Sequence, residues 1–185
     1  MKLVVGLGNP GKRYDGTRHN VGYAVIDALA AGPGVNGFQS RFDSLVAELH
    51  EGADKVLLQK PATFMNLSGR AVRQTFDFYQ LAHADLLVVC DDFNLPLGKL
   101  RFRPKGTHGG HNGLRDIQSH LGTTAYARLR LGVDAPPEDA AVDFVLGRFR
   151  PSEKPVIADA IAQAVQGVML WIRQGIEPCM NQYNG

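Results

Sequence analysis

Apolar residues fall along this chain in two rhythms, short unbroken runs and longer stretches repeating every three to four positions, and the two alternate. Lys2 to Gly6 reads as a short buried strand, and Val21 to Ala31 as a helix with Val21, Ala24, Val25, Ala28 and Leu29 on one face. Gly32-Pro33-Gly34 ends that helix. Ser44 to His50 and Lys55 to Lys60 read as strands joined through Gly52-Ala53-Asp54. Asn66 stands where a cap for the next helix is expected, and that helix carries Val72, Phe76 and Tyr79 in its apolar stripe. Leu86 to Cys90 is continuously apolar, the pattern of a central strand covered on both faces.

The second half continues the alternation. Lys99 to Arg103 is a strand with polar and apolar positions in strict turn, Gly106 to Gly110 a mobile glycine-rich loop, and Leu114 to Leu121 a helix. Ala127 to Val133 is a further strand, broken by Ala135-Pro136-Pro137. Ser152 to Gln174 carries the longest helical signal, with Lys154-Pro155 in its first turn. No repeat, low-complexity tract or linker divides residues 1–185, so the pattern predicts a single α/β domain with a mixed sheet.

Composition narrows the setting. At 185 residues, 44% of them hydrophobic and 21% charged, the chain matches an ordinary globular domain with one sizeable core. A net charge of +2 means that affinity for nucleic acid has to come from clustered rather than bulk charge. Two cysteines, Cys90 and Cys179, make no disulfide framework and point to a reducing compartment. The apolar start, Met1-Lys2-Leu3-Val4-Val5, stops at Gly6-Leu7-Gly8-Asn9-Pro10, too short for a signal peptide, and no apolar run approaches membrane-spanning length. A cytoplasmic protein, monomeric and away from membranes, is the expectation.

Gly6-Leu7-Gly8-Asn9-Pro10-Gly11 satisfies the G-x-G-x-x-G pattern of dinucleotide-binding proteins, with Asp27 downstream in place of the ribose-binding acid. The surroundings oppose that reading. The fingerprint needs a helix that starts within the glycines, whereas Asn9-Pro10 and loop residues to about Asn20 intervene, and Asp27 falls inside a helix. The glycines instead let the backbone turn sharply and carry Asn9 into a pocket.

Thr17-Arg18-His19-Asn20 follows this turn, and comparable chemistry recurs in Thr63-Phe64-Met65-Asn66-Leu67-Ser68-Gly69 and Gly109-Gly110-His111-Asn112-Gly113. Val88-Val89-Cys90-Asp91-Asp92 adds carboxylates at a strand end. A His can activate water near neutral pH, a carboxylate can fix its tautomer, and neutral amides can hold a peptide backbone or an oxyanion. On residue type alone His19 fits either a general base oriented by an Asp or a loop hydrogen bond. Asn66 and Asn112 fit either ligand contact or a cap and a turn. Strand alternation sends Asp91 and Asp92 to opposite faces and Cys90 away from Asp91, which argues against a Cys–His thiol mechanism. His108 and His111 have H-x-x-H spacing, but flanking glycines leave them without the rigid support of a zinc site. Neither a metal nor any other cofactor is expected.

These four segments, in this order and spacing, resemble the bacterial peptidyl-tRNA hydrolase family, and the resemblance runs from Lys2 to about Asn184. It implies a twisted mixed sheet flanked by helices. It also implies hydrolysis of the ester between tRNA and a peptide or N-blocked aminoacyl group, releasing tRNA for reuse in translation. It places the catalytic His at His19 and its acidic partner at Asp91, matches Asn9, Asn66 and Asn112 to functional asparagines, and adds Met65 to the substrate pocket. We group Asn9 with the catalytic residues and Tyr14 with Met65, Asn66 and Asn112. A relative of the same fold that binds RNA without cleaving it is the alternative, and retention of His19, Asp91 and the three asparagines together speaks for the enzyme.

Lys99, Arg101 and Arg103 alternate with Leu100 and Phe102, which on a strand spaces cations about 7 Å apart, close to the spacing of successive phosphates. Lys105 extends the series, and Arg128 and Arg130 alternate with Leu129 and Leu131 in the same way. A solvated polar face accounts for such a pattern as well. The resemblance implies basic residues here that hold the tRNA acceptor stem and its 5′ phosphate, with Arg103 and Arg130 foremost and Arg101 and Lys105 beside them. The Gly106 to Gly113 segment would lie as a lid over the 3′ CCA-peptidyl end.

Overall fold

A computed structural model describes all 185 residues. In chain order the elements are β1 (Lys2–Gly6), α1 (Val21–Ala30), β2 (Gln39–Arg41), β3 (Ser44–Glu51), β4 (Asp54–Pro61), α2 (Ser68–Phe78), β5 (Leu86–Asp92), β6 (Leu100–Arg103), α3 (Asn112–Leu121), β7 (Ala127–Gly132), α4 (Ala141–Val145), α5 (Lys154–Gln174) and α6 (Ile176–Tyr183). The strands form one sheet in the order β2-β3-β4-β1-β5-β7-β6. Its centre is parallel, with β1 paired to β4 and β5, and β5 to β7. Both margins are antiparallel.

The continuous apolar runs take the central places. Leu3, Val4, Val5, Leu57, Leu58 and Leu86 to Cys90 are wholly enclosed because helices cover both faces. One face packs α1 and α5 in a core that includes Val25, Ile26, Leu129, Val168 and Trp171. The other packs α2 and α3 around Val72, Phe76, Leu114, Ile117 and Cys90. After β1 the chain returns to one side of it as β4 and to the other as β5, so the carboxyl ends of β1 and β5 open a crevice at a change of winding direction. The chemistry-bearing segments gather there.

Several local expectations shift. Asn66 lies inside a single 3-10 turn, Met65–Leu67, and Leu67 rather than Asn66 holds the cap position of α2. On α1 the enclosed residues are Val21, Gly22, Val25, Ile26 and Leu29, while Ala24 and Ala28 sit at the margin. The helix is rotated because Gly22 presses on the sheet: a Cβ there would lie 2.5 Å from both Leu7 N and Val89 O. Lys99 falls in the turn before β6. β2, α4 and α6 carry too little periodicity to stand out in the sequence. α6 nevertheless matters, because the Asn184 amide just beyond it pairs with Phe102 N (2.7 Å) and O (3.0 Å) on the edge strand β6.

α5 is long and apolar enough, by length and composition, to cross a membrane. Here its stripe of Ile157, Ala160, Ala164, Val168, Trp171 and Ile172 is spent on the core, and Asp159, Gln163 and Gln166 face outward.

Gly22→Ala tests the close approach of α1 to β1 and β5. The added methyl meets backbone on both sides, so the variant should lose about 1–3 kcal/mol of stability, read as a lower urea midpoint. An unchanged midpoint would show that the helix can move away freely.

Candidate active site

The loop after β1 is tied to the loop that bears His19 by a reciprocal amide contact. Asn9 N donates to Asn20 Oδ1 at 2.8 Å, and Asn20 Nδ2 donates to Asn9 O at 2.9 Å. Both residues are buried. On the other side of His19, the buried Arg18 donates to Glu153 Oε2 (2.8 Å) and Arg148 O (2.7 Å) and lies over the rings of Phe144 and Phe149. The short 3-10 turn Arg18–Asn20 is therefore fixed at both ends, with His19 between two immobilised neighbours.

His19 Nδ1 lies 2.9 Å from both carboxylate oxygens of Asp91. His111 Nε2 lies 2.9 Å from Asp91 Oδ1, so one buried carboxylate receives two imidazoles. The tautomers follow from the partners. His111 Nδ1 accepts from Leu114 N at the start of α3, which puts its ring proton on Nε2, toward Asp91. Asp91 has only acceptors, which puts the His19 proton on Nδ1 and leaves Nε2 as the free base. Burial alone pushes the Asp91 carboxyl up. The attraction of His111 and then His19, with their hydrogen bonds, outweighs it and holds the group well below the usual carboxylate range.

Alternation around Asp91 runs as expected. Cys90 points into the α2–α3 core, where burial pushes its thiol up to about 12, an inert group. Asp92, on the same face as Cys90, pairs with Arg130 at 3.3 Å. His111 is the functional residue that the sequence does not single out. Its spacing suggests only a metal partner for His108, which instead accepts from Gly110 N. The cap position at the head of α3 was the available signal. His19, Asp91 and His111 offer ligand atoms within 4.8 Å of one another and form the one cluster suited to a metal ion. Both imidazoles are turned to give a proton to Asp91, and a metal there would have to displace those protons.

A cleft of about 360 Å³ opens beside His19, lined by Asn9, Met65, Asn66 and Asn112, and by Phe64, Val142, Val145 and Leu146. Asn9 Oδ1 accepts from Met65 N at 2.8 Å, so the side-chain group left to face the cleft is its NH2 donor. Asn66 and Asn112 are exposed, with Asn112 Oδ1 receiving Arg115 Nη1 at 3.2 Å. Tyr14 is not part of the lining. It stands edge-on to Phe64, with ring centroids 6.4 Å apart, at the rim. The apolar contribution of α4 through Val142 and Val145 was invisible in the sequence, because that five-residue helix leaves no periodic trace.

The basic strands meet on one face. Arg101 stands opposite Arg130 and Arg103 opposite Arg128 in the β6–β7 ladder. Arg101, Arg103 and Lys105 are exposed. The expected solvated face of β7 needs correction: Arg128 is only 1% exposed, its guanidinium taken up by the carbonyls of Thr107, Thr124 and Tyr126, and Arg130 is half-buried, bonded to Thr107 O at 3.0 Å as well as to Asp92.

Comparison with known proteins agrees with this geometry. The sequence profile described as Peptidyl-tRNA hydrolase matches residues 3–185. The chain is 47% identical to a peptidyl-tRNA hydrolase of Syntrophomonas wolfei and 46% to one of Halalkalibacterium halodurans, each alignment covering 100% of both proteins. Among solved structures, peptidyl-tRNA hydrolase from Acinetobacter baumannii superposes with a TM-score of 0.93 at 35% identity, covering 100% of this chain and 95% of that one. With the match running from the first strand through the last helix, the chain belongs to the peptidyl-tRNA hydrolase family.

Proposed function

We propose that this chain cleaves the ester between tRNA and a peptide or N-blocked aminoacyl group by a metal-independent reaction in which His19 is the general base. Membership of the family makes the chain a hydrolase acting on peptidyl-tRNA. The observation that carries the mechanism is the direction in which His19 is held. Asp91 takes up Nδ1, so the basic Nε2 is left on a ring that lines the cleft.

In this reading Nε2 takes a proton from water, whose oxygen attacks the ester carbonyl carbon. The Asn9 NH2, a buried side-chain donor whose amide oxygen is already held by Met65 N, meets the developing oxyanion, which is worth a few kcal/mol. Asp91 stabilises the imidazolium without taking its proton. Collapse of the tetrahedral intermediate breaks the bond to the ribose oxygen, and the imidazolium returns the proton to that leaving group. Met65, Asn66 and Asn112 receive the peptide, with Tyr14 at the entrance.

The acceptor stem and its 5′ phosphate lie along Arg101, Arg103, Lys105 and Arg130, which leads the 3′ CCA-peptidyl end to the cleft. Like charges placed directly opposite across a strand pair repel, and Arg101–Arg130 and Arg103–Arg128 both do so. A polyanion relieves that repulsion. We place the protein in the cytoplasm as a monomer, a reading supported by two free buried cysteines and by the use of exposed Phe64, Val142 and Leu146 in the cleft lining. A non-catalytic RNA binder has no use for a tautomer fixed in this way.

His19→Ala, assayed on N-acetylaminoacyl-tRNA with EDTA present, should turn over roughly 10²–10⁴-fold more slowly, while the wild type is unaffected by the chelator. Near-normal turnover by the variant, or loss of wild-type activity restored by zinc, would sink the mechanism. Asp91→Asn keeps the shape but lets His19 adopt the other tautomer, so kcat should fall by roughly 10²–10⁴ with a small effect on KM. Asp91 is held low in the folded state, so its stabilising contribution is complete above the unfolded carboxylate value of about 3.9 and is lost as pH falls below it. Acid unfolding should therefore be less steep in Asp91→Asn. Replacing Arg101 and Arg103 together by Gln should raise KM and leave kcat intact. The slope of log(kcat/KM) against log salt should become shallower by roughly 0.9 for each phosphate no longer neutralised. An unchanged slope would move the tRNA elsewhere.

A further inference from the structure

We propose that Arg128 is a positioning residue for the hydrolysis, clamping the root of the Gly106–Gly110 loop and so setting where His111 meets Asp91. The inference rests on the hydrolytic reading above. Arg128 is the largest fully enclosed side chain in the protein, and no carboxylate pairs with it. Its guanidinium donates to main-chain carbonyls instead: Nη1 to Thr107 O at 3.1 Å, and Nη2 to Thr124 O at 3.0 Å and Tyr126 O at 3.4 Å. Nε has no partner, and the group lies over the Tyr126 ring, 4.5 Å from its centre. A buried cation without a counter-ion, set opposite another arginine, is costly, and an apolar side chain would fill the same space without that cost. What the arginine supplies is a rigid fork that reaches two segments at once.

The segment it holds needs holding. Gly106, Gly109 and Gly110 all have positive φ (151°, 58° and 84°), so the loop backbone supplies little restraint of its own. Its root is fastened by Gly106 N to Thr124 O (3.3 Å), Gln118 Nε2 to Gly106 O (3.2 Å), and the convergence of Arg128 and Arg130 on Thr107 O. Arg130 leaves that carbonyl when it turns to a phosphate, and Arg128, out of reach of solvent, stays. From Thr107 the chain runs straight on through His108, whose carbonyl accepts His111 N at 3.1 Å, so a shift at the clamp is passed to His111 and Asn112.

The test uses Arg128→Met and Arg128→Lys in the full chain, with N-acetylaminoacyl-tRNA turnover and ¹⁵N NMR of the histidine rings. In folded Arg128→Met, kcat should fall about tenfold or more with KM little changed, and His111 should move from the Nε2–H form to a mixture of tautomers. Arg128→Lys keeps the charge but not the fork and should show the same two changes; it carries the test if the Met variant does not fold. Wild-type kcat and tautomer in either folded variant would overturn the proposal. So would a raised KM with a flatter salt slope and normal kcat, which would make Arg128 a phosphate contact. The tautomer reports on the clamp in the resting protein. A change there alongside normal turnover by His19→Ala would sink the reading of His19 as general base and leave the clamp standing.

Discussion

The arrangement of this protein turns on one buried carboxylate. Asp91 is the last buried residue of β5, where it cannot remain charged without partners, and its partners come from two distant loops. His19 arrives from the turn before α1, and His111 from the head of α3. The desolvation that makes Asp91 expensive also makes its attraction to each imidazole strong, and the net effect keeps it ionised. The carboxylate thereby draws together the two sides of the crevice. It also settles which nitrogen of each ring carries the proton, and so the polarity of the site.

A second constraint is the economy with which amide groups are used up. Asn20 spends its whole side chain on Asn9, and Asn9 spends its oxygen on Met65 N. Of these two buried amides only the Asn9 NH2 is left for the cleft that His19 lines. Neutral donors suit this position better than cations, because a lysine or arginine at Asn9 would disfavour the imidazolium that the proposed mechanism forms. The one charge next to His19 in sequence, Arg18, is neutralised by Glu153, and unpaired cations gather on the β6–β7 face at Arg101 and Arg103.

The central strands were legible because burial on both faces requires unbroken apolar runs, and Leu86 to Cys90 and Lys2 to Gly6 show them. Alternation allows only one of Asp91 and Asp92 to face the site, and the family resemblance selects Asp91. The two carboxylates do take different partners. Asn66 failed as a cap because a 3-10 turn intervenes, a one-turn detour that residue type does not record. His111 was hidden for a different reason. Flanking glycines read as looseness, when the restraint comes from residues far along the chain that fasten the loop root.

Arg128 and Arg130 show the limit most plainly. Both occupy the same face of the same strand, two residues apart, and alternation treats them as equals. What separates them is the glycine loop and the segment from Thr124 to Tyr126, which enclose one and leave the other at the margin. The sequence pattern states which way a side chain points, while burial depends on what lies across from it. A cation on a strand's polar face can therefore end as the largest fully enclosed side chain in the molecule, and its hydrogen-bond partners, all of them carbonyls, decide what it does there.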